Sequence, residues 1–337
     1  MRLYIDLENL KSLSSKMGDK EVEKLIREYC DIYYTFDQHD MELVKRQKIE
    51  KIKRWRSQLV EGRSGHFFYY NAEVPFIIDA NDQIKLNDIT LRNSVLLNSV
   101  FLQDATNIKP NSGLLIAGIG EELNCLRNLL IERKCISTKI YCIRDDVPQW
   151  NFVDRNVSPT TDIIINDLYL FEDSEIYYEI NSYNLIQKLC SKSIDFKVNI
   201  VIITDDKHNC LRANTIIRDI KQQVYQITNI EPNVTIVINR SLKENERIHD
   251  RTIFTNYKLF ISGDSLNYYK YAKKVGFSKT NKDVELSSHG MWFGVCSLFD
   301  KENRVIAEQF IDKVQLIISQ AKKFEIFGDK CSNYLFI

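Results

Sequence analysis

Residues 2–6 alternate apolar and polar and run into Leu7-Glu8-Asn9-Leu10, which opens a helical pattern through Leu25, Ile26 and Tyr29; the chain therefore starts on a strand followed by a helix. A charged helical stretch over 41–60 ends near Gly62-Arg63-Ser64-Gly65. Short strands are expected at 67–70 and 75–78, and a helix-like stretch at 91–102. After the Asn111-Ser112-Gly113 turn come a buried strand at 114–119, a helix at 121–133 and a strand at 139–143, so the first 150 residues read as a mixed α/β unit. The run from Asp145-Asp146-Val147-Pro148 to Ser158-Pro159 has the turn chemistry of a connector. Beyond it the order becomes regular: strand 162–171, helix 183–190, strand 197–204, helix 211–227, strand 233–238. Such alternation predicts a sheet with helices on its faces. Two strand-like pieces, 247–255 and 257–262, have little room between them and read as a hairpin. An amphipathic helix over 304–322 closes the chain's second half, with Val305, Ile306, Phe310, Ile311, Val314, Ile317 and Ile318 on its apolar side.

Composition adds limits to this α/β reading. The 337 residues are enough for two domains with cores of their own, here 1–150 and 160–325, and 44% hydrophobic with 27% charged residues is the balance of a folded globular chain. Lys plus Arg and Asp plus Glu stand at 46 each, so nucleic-acid or membrane binding has to come from a local patch. Apolar runs such as Leu114-Leu115-Ile116-Ala117 are too short to cross a bilayer, and the first residues carry no secretory signal pattern, so a cytoplasmic protein without a transmembrane segment is expected. Eight cysteines without a Cys-x-x-Cys pair read as reduced core residues, and neither a metal nor a cofactor is expected. Few Gly and Pro and many Ile, Lys and Asn fit an AT-rich bacterial genome.

Candidate chemistry concentrates between residues 247 and 269. His249 and Arg251 are two apart on a strand and project to one face, with Asp250 on the other. Asn256 follows, then Gly263-Asp264-Ser265-Leu266-Asn267. A nucleophilic or proton-carrying His beside a guanidinium fork and amide or hydroxyl donors suits a tetrahedral oxyanion such as a phosphate ester. The spacing His-x-Arg-x4-Asn-x6-Gly-x-Ser-x-Asn resembles the half-site of the phospholipase D superfamily, His-x-Lys-x4-Asp followed by Gly-Ser-x-Asn. The resemblance implies a phospholipase D-like mixed sheet flanked by helices over 160–325. It also implies His249 as nucleophile, Asn256 tuning it, and Arg251, Ser265 and Asn267 binding phosphoryl oxygens. Arg251 stands where Lys is usual, Asn256 where Asp is, and Asp264 is inserted into the Gly-Ser pair. The nearest pattern is the phospholipase D-like domain at the C-terminus of microtubule-interacting-and-trafficking proteins, which is regarded as non-catalytic, dimeric and phosphoinositide-binding. Bacterial relatives of that domain look like parts of intracellular conflict systems such as phage defence.

Three functions follow as expectations. The first is recognition of a phosphate-bearing ligand or nucleic acid within a multi-protein antiviral system. The second is a metal-independent phosphodiesterase or nuclease. Because the chain holds one half-site, that enzyme would be a homodimer with His249 from each chain. The third is a non-catalytic scaffold, in which the His-Asp-Arg run is a paired polar edge.

Elsewhere, Asp6-Leu7-Glu8-Asn9-Leu10 looks like the opening of an NYN/PIN-type metal-dependent ribonuclease, with Asp79, Asp82, Asp145 or Asp146 to complete it; helix capping by Asp6 or Asn9 is the favoured reading. Gly118-Ile119-Gly120-Glu121-Glu122 follows a strand and opens a helix, which suits either an anion-holding turn or a plain connection. Lys45, Arg46, Lys48, Lys51, Lys53, Arg54 and Arg56 surround Trp55, giving a basic, aromatic patch for nucleic acid or a partner protein, or a solvated helix face.

Overall fold

A computed structural model describes residues 2–15, 19–46, 57, 68–70, 72, 76–78, 84–86, 94–99, 115–127, 139–142, 149–157, 160–171, 175–194, 197–205, 212–238, 251–271, 284–287, 292–298, 301–322 and 325–329. The chain divides into two compact units between Lys134 and Cys135. Both are α/β.

In the first unit, β1 (Arg2–Ile5) is followed by α1 (Leu7–Ser15), α2 (Lys20–Tyr29), β2 (Asp31–Tyr34) and α3 (Gln38–Arg46). Strands β3 (Phe68–Tyr70), β4 (Phe76–Ile78), β5 (Ile84–Leu86), β6 (Ser94–Leu97) and β7 (Leu115–Ala117) complete its ladders. The single helix read from 7 to 29 is two helices, because Asp19 accepts from the Val22 amide at 3.2 Å and starts a second one. The stretch expected to be helical at 91–102 contains β6 instead. Val95, Leu96 and Leu97 are buried on both faces of the sheet, and a short, wholly apolar run carries no period to separate a buried strand from a helix. The sheet runs β3-β2-β1-β6-β7, all parallel, so the chain leaves β1 in one direction and returns to its other side at β6.

The second unit is built on an eight-stranded sheet ordered β17-β11-β10-β9-β12-β13-β16-β8. In chain order these are β8 (Lys139–Cys142), β9 (Asp162–Asn166), β10 (Asn199–Thr204), β11 (Asn233–Ile238), β12 (Arg251–Thr255), β13 (Lys258–Ser262), β16 (Trp292–Ser297) and β17 (Ile326–Gly328). A separate ladder pairs β14 (Tyr269–Tyr271) with β15 (Val284–Leu286). Strand β8, read from sequence as part of the first unit, pairs antiparallel with β16 and belongs here. Strands β9, β10 and β11 are parallel, each a run of Ile and Val buried on both faces. Their crossovers carry α4 (Asn184–Cys190) and α5 (Ala213–Thr228), which ends on Asn229 in the left-handed region at φ 60°. β12 and β13 form the expected antiparallel hairpin, with Thr252 opposite Ile261 and Phe254 opposite Leu259.

One face of the sheet meets α4, α5 and an aromatic group around Trp150; the other meets α6 (Lys301–Gln320). Ala307, Ile311, Val314 and Ile317 of α6 are buried at three- and four-residue spacing, whereas Val305 and Ile306, expected on that side, are exposed. No described helix is long and apolar enough to cross a membrane. Of the described cysteines, Cys30, Cys125 and Cys190 are buried thiols and Cys142 is exposed; none of the five forms a disulfide.

Candidate phosphate site

Because β9, β10 and β11 are parallel, their carboxyl ends share one edge, the position at which open α/β sheets place ligands. β12 runs back from that edge. Thr252 is in register with Asn166, so Arg251 at the start of β12 lies beside Asp167 at the end of β9. The strand expected to reach 171 therefore stops at Asn166. There the Asp167 carboxylate accepts from the Tyr169 amide at 3.0 Å and turns the chain.

The other oxygen of Asp167 accepts from Ser265 Oγ at 2.8 Å and from the Leu266 amide at 2.7 Å. Asn267 Nδ2 donates to the Tyr169 carbonyl at 2.6 Å. The two donors expected to bind phosphate, Ser265 and Asn267, thus tie the Gly263–Asn267 segment onto the turn after β9. Asp167 is 1% exposed, and this burial raises its carboxyl above the ordinary value, against the pull of the Leu266, Tyr169 and Ser265 hydrogen bonds and the Arg251 charge.

Arg251 is half-buried. Its Cζ sits 5.4 Å from the centre of the Tyr169 ring, a cation–π contact that holds the guanidinium in place without using its N–H groups. Among the described residues the guanidinium makes no hydrogen bond and no contact ion pair, and Asp167 acts on it only through its field. Asp264 is exposed and gives its main chain to Ser262: its carbonyl accepts from Ser262 Oγ, and its amide donates to the same oxygen at 3.2 Å.

Asn256 lies elsewhere. It follows β12 at the opposite edge of the sheet, where its Oδ1 accepts from the Thr161 amide at 2.9 Å, the Asp162 amide at 3.2 Å and Thr160 Oγ1. Five residue steps of extended chain separate it from Arg251, roughly 17 Å at the usual strand rise. Asn256 closes the start of β9 rather than joining the Arg251 edge. Asn256→Ala is expected to strand those buried amides and lower stability by about 1–3 kcal/mol, with anion affinity unchanged. Denaturant unfolding beside a binding isotherm checks this; unaltered stability would remove the structural role.

His249 is outside the described residues, as are Asp250, Lys48, Lys51, Lys53, Arg54, Trp55 and Arg56; Lys45 and Arg46 end α3. In the first unit, Asp6 caps α1, accepting from the Asn9 amide and side chain at 2.8 Å each, and its second oxygen takes the Ser99 amide and hydroxyl at 2.7 Å each. Asp79, Asp82, Asp145 and Asp146 lie outside the described residues, among which no group of three or more His, Cys, Asp or Glu could hold a metal ion. The Gly120 amide donates to Glu122 Oε1 at 3.0 Å, so this amide of the Gly118–Glu122 turn is satisfied within the turn.

Sequence reasoning missed Asp167 and Tyr169. An acid directly after the run Ile163-Ile164-Ile165-Asn166 is a signal for a strand's carboxyl end, which the apolar Leu168, Leu170 and Phe171 beyond it obscure. No protein-family model matches the chain, and no curated protein is significantly similar to it.

Proposed function

We propose that the second unit recognises a phosphate-bearing ligand or nucleic acid through Arg251, as a degenerate phospholipase D-like domain acting within a multi-protein antiviral system. The observation that supports this most is the guanidinium itself, held on Tyr169 at the carboxyl edge of the parallel strands with its donors unspent among the described residues. A fork of N–H groups in that state matches the paired oxygens of a phosphate. Ser265 and Asn267 serve the reading indirectly, since they fix the Gly263–Asn267 segment beside the guanidinium.

The test uses the full chain in EDTA with labelled single- and double-stranded DNA and RNA, wild type beside Arg251→Ala and His249→Ala. Salt-sensitive mobility shifts lost in Arg251→Ala and kept in His249→Ala, without cleavage, are the expected result. Cleavage abolished in His249→Ala would replace recognition by metal-independent phosphodiester chemistry. Neither binding nor cleavage would move the protein to the scaffold class.

A further inference from the structure

We propose that Asp167 is a built-in counter-charge that sets how tightly the Arg251 edge holds an anion. This inference rests on the phosphate reading and concerns its regulation.

The geometry is unusual in one respect. Antiparallel register places Asp167 beside Arg251, yet the two make no contact pair: one carboxylate oxygen is taken by the Tyr169 amide and the other by Ser265 and Leu266. Those donors fix the carboxylate, so it cannot swing away when an anion arrives. The guanidinium is held by its contact with the Tyr169 ring. An incoming anion therefore meets a positive group whose field is partly cancelled by a buried, immobile negative one.

Among the described residues, the other charged or titratable groups around the carboxylate are the buried Tyr268 hydroxyl, the exposed Asp264 on the loop that Asp167 ties down, Tyr169 on its own turn, and Asp205, whose amide donates to Leu168 after β10. Asp264 is exposed and adds negative charge that water screens, whereas Asp167 is shielded from water and its field is screened far less. Burial also makes Asp167 easier to protonate, and a protonated Asp167 no longer opposes the guanidinium.

Sulfate is a suitable probe, because it stays a dianion throughout the range used. Calorimetric binding to wild type, Asp167→Asn, Arg251→Ala and the double variant is expected to show tighter binding in Asp167→Asn than in wild type. The gain should be roughly tenfold, the order that one unit charge exerts in a partly buried site. Arg251→Ala should abolish that gain. Acidification of wild type should tighten binding relative to Arg251→Ala, because a protonated Asp167 no longer opposes the guanidinium. Arg251-dependent binding that Asp167→Asn leaves unchanged or weakens would overturn the counter-charge and leave the phosphate reading intact. Equal binding by wild type and Arg251→Ala under every condition would overturn that reading and the counter-charge with it. If Asp167→Asn does not fold, Asp167→Ser, which keeps an acceptor for the loop amides without the charge, is measured in its place against the same two outcomes.

Discussion

Replacing Arg251 by alanine is expected to weaken binding of a phosphate-bearing ligand by about 1.5–3 kcal/mol, while the melting temperature moves little. The magnitude is that of a charge-assisted hydrogen bond. It should be realised nearly in full because, among the described residues, the guanidinium rests on the Tyr169 ring and has no hydrogen-bond or contact ion-pair partner to give up when a ligand arrives. The small stability effect has the same origin, since a cation–π contact at a half-buried site contributes only on the order of 1 kcal/mol. Arg251→Lys should recover part of the affinity, keeping the charge but losing the planar fork. Titration with a labelled oligonucleotide at two salt concentrations measures both the affinity and the charge dependence. Equal affinity in wild type and Arg251→Ala would remove this residue from recognition.

Trp150→Ala is expected to cost about 3–5 kcal/mol, the largest stability effect of any substitution considered, lowering the melting temperature of the second unit by roughly 6–20 °C. Trp150 is fully buried and packs against four aromatic rings: Tyr268 stacked at 4.9 Å, and Tyr269, Phe152 and Phe293 at 5.5, 5.7 and 6.3 Å. Its indole N–H donates to the Ile180 carbonyl at 3.2 Å, so the ring also satisfies a buried main-chain group. Alanine would leave a cavity, an orphaned carbonyl and a left-handed backbone at φ 54° with nothing to compensate for it. Tyr268 and Tyr269 directly follow the segment that Asp167 holds, so ligand binding should fall along with stability. Thermal unfolding followed by near-ultraviolet dichroism reads the effect. A shift below about 2 °C would show that the ring is peripheral to the core.

These residues also show where the sequence was legible. The hairpin of β12 and β13 was visible because two short apolar runs, Ile253-Phe254 and Leu259-Phe260-Ile261, stand so close together that only a tight turn fits between them, and β9 to β11 were visible as short Ile and Val runs separated by helical stretches. Spacing placed Arg251, Ser265 and Asn267 near one another. It could not say what each would bond to, because the acceptor for Ser265 is Asp167, 98 residues earlier. Nor could it separate Arg251 from Asn256: motif spacing counts residues, and an extended strand turns five of them into the width of a sheet. β6 escaped because Val95-Leu96-Leu97 is apolar throughout, so no period was there to find. Lys258 is a further example: a lysine reads as surface, yet this one is 1% exposed and its ammonium donates to the Asn156 carbonyl.

The position of β8 ahead of the 145–158 connector bears on how the second unit can be isolated. A recombinant fragment cut at that connector would lack Lys139–Cys142 and leave Trp292–Ser297 as the outermost strand, its ladder from Trp292 to Val295 opened to solvent. Such an edge, with Phe293 and Val295 in it, is a template for adding a strand from another molecule. Aggregation or artificial pairing of that fragment would then reflect the missing strand and say nothing about the assembly state of the intact protein.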